Sequence, residues 1–274
     1  MNFSGQIVTS FFNLILMPFG TAHHTLGLVA LSLLTGVAMA FVFKWTSNDR
    51  AIRAAKDKLK ARILEMRIYQ DDPVLILKGF GGTLKSNLVY LGTLILPVLV
   101  LLVPVVIVFM QMDERYSRRP LGDDAKTILS VELRDGVDPY QTEVALVTGS
   151  GVVMDSKPVR IAETGEIDWR LRVDEPGTHD ITLSANGANY SFPVVAEKNY
   201  RMIGHERNAS SWIEPLLHPG MPAISDDMPL ARVRVGYPGA RYPLLGWDVH
   251  WIVIFLVYSL LAAIVLKFII KFEI

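Results

Sequence analysis

Apolar residues recur along this chain in three rhythms, one unbroken, one helical and one alternating, and each predicts a different kind of element. The unbroken runs cover residues 25–43, 88–112 and 249–266. Each is long enough to cross a hydrocarbon layer, which takes about 20 residues of helix. Each must be helical there, because lipid offers the backbone no hydrogen-bond partners. Pro97 and Pro104 lie seven apart on one face of the second run, where each removes a backbone donor and invites a bend. Ser32, Gly36 and Ala40 follow at every fourth position in the first run, and Ser259 and Ala263 repeat the spacing in the third. Small residues so spaced let helices approach closely.

The helical rhythm appears twice. Phe3, Ile7, Phe11, Leu14 and Pro18 share one face of residues 1–20, which predicts an amphipathic helix lying in the outer interface, or else an apolar leader without fixed structure. Between the first two spans, residues 44–87 predict a helical hairpin. Its first arm is capped by Ser47 or Asn48 and runs to about Tyr69, with Ile52, Ala55, Leu59, Ile63 and Met66 as an apolar stripe. Asp71, Asp72 and Pro73 mark the start of a second arm. Gly79, Gly81 and Gly82 weaken that arm, and let it pack closely or bend.

After Met112 the rhythm alternates. Leu129, Val131 and Leu133, then Ile167, Trp169, Leu171 and Val173, then Ile181, Leu183 and Ala185, then Tyr190, Phe192 and Val194 all recur at every second position. Turns are signalled at Pro176-Gly177 and Asn186-Gly187. Six or seven short strands over about residues 125–197 predict an immunoglobulin-like β-sandwich. Residues 198–246 read as the domain's irregular C-terminal part, with a short helix over Ser210 to Leu217 and one more strand over Arg232 to Tyr237.

Charge orients this plan. No Asp, Glu, Lys or Arg occurs before Lys44; Lys44 to Lys85 holds ten basic and five acidic residues, and Asp113 to Arg241 holds fifteen basic and twenty acidic. Lys and Arg stay on the cytoplasmic side of short loops. The expected fold class is therefore a multi-pass α-helical protein of the plasma (inner) membrane with three transmembrane helices. The N-terminus and the β-sandwich domain of residues 113–246 lie outside or in the periplasm, and the hairpin of residues 44–87 and the tail of residues 267–274 lie in the cytoplasm. The N-terminus lacks the basic start of a secretory signal and is expected to remain uncleaved. Trp45, Tyr116, Trp247 and Trp251 stand where interfaces should be.

Candidate chemistry is sparse. With no cysteine, disulfides, thiolates and cysteine metal sites are excluded. Gly79 to Ser86 resembles a phosphate loop, but Leu84 stands where a glycine should precede Lys85. His23 and His24 are adjacent and read as interfacial anchors, and His179, His205, His218 and His250 are dispersed. Asn208-Ala209-Ser210 has the form of a glycosylation acceptor. No catalytic constellation, metal set or cofactor motif is present, so no enzyme activity and no cofactor are expected. At membrane depth the notable polar groups are Thr35, Thr93, Tyr258 and Ser259, with Lys44 at the inner edge of the first span. The basic face of the hairpin, with Arg50, Arg53, Lys56, Lys60, Arg62 and Arg67, suits either anionic lipid headgroups or ribosomal RNA.

The order of outer amphipathic helix, span, basic cytoplasmic hairpin, span, exterior segment and span resembles the three-helix core of the YidC/Oxa membrane-protein insertases. Residues 1–112 and 247–274 carry the likeness, which is one of organisation. It implies a groove open to cytoplasm and lipid, with Thr35, Thr93, Tyr258 and Ser259 as lining candidates and Lys44 as its cation. It also implies that the hairpin of residues 44–87 corresponds to the family's cytoplasmic coiled coil, which meets the ribosome or a substrate. Partners would be the bilayer and nascent membrane proteins. The sandwich lies between the second and third spans here, whereas bacterial insertases place their exterior β-domain before the core. The alternative is a structural or accessory subunit of a membrane-protein complex, whose exterior sandwich docks a partner protein.

Overall fold

A computed structural model describes residues 3–19, 24–68, 73–197, 202–209 and 221–270. Expectations for His23, for the Asp71 and Asp72 caps, for the helix over Ser210 to Leu217, for Ser210 of the acceptor motif and for Lys271 lie outside these residues.

Five α-helices and eleven strands are described. Helix α1 covers Phe3–Leu16, followed by a short 3-10 turn at Met17–Phe19; α2 covers His24–Thr46, α3 Asp49–Ile68, α4 Pro73–Tyr116 and α5 Trp251–Ile270. Helices α2, α4 and α5 each contain a stretch long and apolar enough to cross a membrane. The chain is thus suited to a membrane by the length and composition of three helices. It divides into two compact units, one of Met1–Leu28 with Ile107–Ile254, the other of Val29–Val106 with Phe255–Ile274.

Local chemistry explains the helix ends. The Asn48 side-chain oxygen accepts the Ala51 N–H at 3.2 Å, the bond an N-cap makes, and Asp49 occupies the first turn of α3. Pro73 is the first described residue of α4, and its missing N–H costs nothing in a first turn. The second hairpin arm and the second span form one continuous helix of 44 residues, about 66 Å long at 1.5 Å per residue. The glycines interrupt nothing: a Cβ at Gly81 would meet no atom within 4 Å, and the atoms nearest to one at Gly82 belong to the Arg62 side chain, at 3.6 Å or more. Close packing is therefore not the reason for Gly81.

The strands form antiparallel sheets. The larger has the order β3-β5-β1-β9-β8, with β4 also on β5; a second has the order β2-β6-β7; β10 and β11 form a hairpin. Their ranges are β1 Lys126–Leu133, β2 Val144–Thr148, β3 Val152–Met154, β4 Val159–Ile161, β5 Glu166–Val173, β6 Thr178–Ala185, β7 Ala188–Val195, β8 Glu206–Asn208, β9 Leu230–Val235, β10 Tyr242–Leu244 and β11 Trp247–Val249. Leu129, Val131, Ile167, Trp169, Leu171, Ile181, Leu183, Phe192 and Val194 all turn inward and join one buried cluster drawn from both larger sheets. Asn186 and Gly187 both have positive φ and close the β6–β7 hairpin in two residues, as an Asn-Gly pair favours.

The domain extends past Glu197. Strand β9 pairs along the free side of β1, with Leu129 opposite Val235 and Val131 opposite Val233. The strand expected over Arg232 to Tyr237 is thus β9, and Met221, Ile224 and Met228 complete the core, so the region read as irregular also supplies part of the interior.

Candidate functional site

The residues singled out at membrane depth fall in the second unit. Ser32, Thr35 and Ala40 of α2 are buried, as is Gly36, and this small-residue face meets α5: a Cβ built on Gly36 would stand 2.2 Å from the Ser259 carbonyl oxygen. Only glycine admits that approach. The three hydroxyls turn back on their own helices. Thr35 donates to the Leu31 carbonyl at 2.8 Å, Thr93 to that of Tyr90 at 2.6 Å and Ser259 to that of Leu256 at 3.3 Å. Such bonds satisfy the donor where lipid cannot, and leave each oxygen able to accept. Thr93 and Tyr258 are half-buried, and so is Lys44 in the last turn of α2. Among the described residues no hydrogen bond joins these candidates to one another.

The three spans are covered unequally. In the most apolar stretch of each, 39% of α2 is buried but only 6% of α4 and 11% of α5.

On α3, the first half of the apolar stripe is buried at Ile52 and Ala55, whereas Ile63 is more than half exposed. The side chain of Met66 lies outside the description. Arg50, Arg53, Lys60 and Arg67 are exposed and Lys56 and Arg62 half-buried. Arg62 pairs with Glu65 at 2.6 Å with both side chains over 40% exposed, a surface pair worth little to stability.

A second polar cluster, which the sequence did not point to, occupies the last turn of α4 in the first unit. Gln111, Glu114 and Arg115 are each at most 1% exposed. The Arg115 guanidinium donates to the Gln111 carbonyl at 2.9 Å, to the Gln111 side-chain oxygen at 2.7 Å and to the Asn13 side-chain oxygen of α1 at 2.8 Å. It also lies 5.8 Å from the centre of the Phe12 ring. Burying an ion costs several kcal/mol unless its donors are met. Here neutral acceptors and a ring face meet them. Gln111 reaches Thr9 of α1 at 3.3 Å. The polar side of α1 is therefore spent on α4, while Ile7, Phe11 and Leu14 stay exposed. Glu114 points elsewhere, with a carboxylate oxygen 3.6 Å from the His205 Nδ1 and its carbonyl accepting the Ile203 N–H at 2.9 Å. The available signal was positional: Thr9 with Asn13, and Gln111 with Arg115, are both four apart and so share a helix face.

Above this cluster lies an aromatic group. The His24 ring is 4.4 Å from that of Tyr116 and its Nε2 is 3.0 Å from the Arg115 carbonyl. The Tyr242 hydroxyl donates to the Tyr116 carbonyl at 3.1 Å. Trp251, at the start of α5, has its ring centre 5.4 Å from that of Phe109. His24 thus links the start of α2 to the end of α4. Among the described residues no cluster of His, Asp or Glu is grouped to hold a metal ion. What the arrangement can do is hold helices and present surfaces. Comparison with protein-family models, with curated proteins and with solved structures found no match.

Proposed function

We propose that this chain is a non-enzymatic membrane-protein insertase or chaperone-like protein, related in organisation to the YidC/Oxa superfamily. The observation that carries the reading is the unequal covering of the spans: α2 is partly covered and meets α5 at Gly36, while the apolar stretches of α4 and α5 are left almost bare. A bare apolar wall of this kind can accept the apolar part of a client. The hydroxyl oxygens of Thr35, Thr93 and Ser259, still able to accept, lower the cost of holding a client's polar backbone at membrane depth, which is several kcal/mol for each unmet group. Lys44 attracts acidic client segments at the inner edge, and the basic face of α3 suits the ribosome or anionic lipid. In this reading the β-rich half is an exterior immunoglobulin-like sandwich, the N-terminus lies on the same side, and residues 44–87 and the C-terminal tail are cytoplasmic in the inner membrane.

The competing role, an accessory subunit whose exterior sandwich binds a partner, is favoured by one specific observation: the intramembrane hydroxyls are satisfied by their own helices. Photo-crosslinkers at Thr93, Leu99 and Ser259 separate the two. Under the insertase reading they capture nascent membrane proteins, capture ceases when translation is halted, and Lys44→Glu weakens capture of clients with acidic tails. Crosslinks confined to fixed partner subunits and indifferent to translation would replace it with the accessory role.

A further inference from the structure

The β10–β11 hairpin exposes what a soluble hairpin hides. Its two-residue turn is Leu245-Gly246, both with positive φ, +52° and +88°. This is the backbone that Asn186-Gly187 adopts between β6 and β7. Asparagine and glycine tolerate it, and leucine does not do so readily. Leu245 is nevertheless 98% exposed and Trp247 beside it 78% exposed. A strained backbone that presents a bare leucine and a bare tryptophan invites a functional explanation.

Position supplies one. Tyr242 pairs with Val249 and Leu244 with Trp247 across the hairpin, so these four share one face, and Pro243 and Asp248 share the other. At the base of the apolar face, Tyr242 is buried and bonded to the Tyr116 carbonyl, at the last residue of α4. Its ring is also 6.2 Å from that of His24, where α2 begins. One residue after β11, α5 starts at Trp251. The hairpin is therefore rooted where three membrane-length helices share an end. Three residues of strand reach about 10 Å, and the headgroup layer is about 5 to 8 Å deep on each side. The reach is comparable with the depth of that layer, so a tip that does not point straight away from the bilayer stays within it, and tryptophan is a residue that prefers it.

We propose that the β10–β11 hairpin is a lipid-inserting finger: Leu245 and Trp247 enter the headgroup and upper acyl region of the leaflet beside the β-rich half, while Asp248 faces water. The inference rests on the membrane placement of the helices and not on insertase activity. The test uses the full chain, which has no cysteine of its own, in vesicles of phosphatidylcholine. Nitroxide labels are placed one at a time through Leu245→Cys, Trp247→Cys, Ser150→Cys as an exposed loop reference, and Leu99→Cys as a span reference. Labels at 245 and 247 should collide several-fold more with oxygen than with a water-soluble nickel complex, as the label at 99 should, whereas the label at 150 should show the reverse. Nickel access at 245 and 247 equal to that at 150, with 99 still in lipid, would overturn the finger alone. Nickel access at 99 as well would overturn the membrane placement with it. Two labelled positions guard against one substitution disturbing the turn.

Discussion

The Tyr237 hydroxyl is buried, and its oxygen accepts the Val195 N–H at 2.9 Å. Burial pushes its pKa up to about 12, with the hydrogen bond from Val195 opposing, whereas an unfolded chain releases this proton near pH 10. Between those values the folded state holds a proton that the unfolded state has lost. Stability from this group is therefore whole below about pH 10 and declines as pH rises toward about 12. The decline amounts to about 2 to 3 kcal/mol at most. Denaturant titrations should show the parent weakening over that window and Tyr237→Phe losing much of the slope. The substitution itself should cost about 1 to 3 kcal/mol at neutral pH, because Val195 keeps a buried, unmet donor. An unchanged alkaline slope in Tyr237→Phe would assign the effect to another group. Arg115 teaches a related lesson at this scale. Its partner Asn13 is 102 positions away in sequence, and the four-residue spacings that put Thr9 with Asn13 and Gln111 with Arg115 on shared faces do not reveal that the two faces meet.

Elements were the most legible level, because their rhythm is set by geometry that neighbours in sequence share. Alternation placed Trp169 and its strand inward with the correct register, since a slip of one would have turned every side chain outward. The cap at Asn48 was readable for the same local reason. Strands of three residues, such as β3, β4, β8, β10 and β11, are too short to display a period, and were not readable. The small-residue stripe of α2 makes a sharp prediction. Gly36→Ala must push against the Ser259 backbone, which cannot swing aside as a side chain can, and should cost about 1 to 3 kcal/mol. Gly92→Ala, in α4 with nothing within 4 Å of the added carbon, should instead stabilise by about 0.5 to 1 kcal/mol through helix propensity. Opposite shifts in the thermal midpoint of the purified protein in detergent are the expected result. Equal shifts would mean that the α2–α5 contact yields without cost.

At the scale of the whole molecule, the three membrane-length helices and the β-rich half were both legible from composition, and the orientation proposed for them follows from the segregation of charge. An impermeant thiol reagent should label Ser150→Cys in intact cells, or after opening of the outer membrane alone, and label Lys60→Cys only after lysis. The reverse pattern would invert the proposed orientation. The late strand expected over Arg232 to Tyr237 is β9, but its pairing with β1 was not legible, and that pairing shows how late the β-rich half is completed. Strand β1 finds β5 on one side, but its other side waits for β9, which begins only at Leu230. As a chain is synthesised, that side of β1 stays an unpaired row of donors and acceptors, open to any passing strand, until shortly before Trp251 begins the last membrane-length helix. Closing the sheet and delivering the last helix are thus adjacent moments in the making of the protein, and a chain broken off before Leu230 carries an open seam.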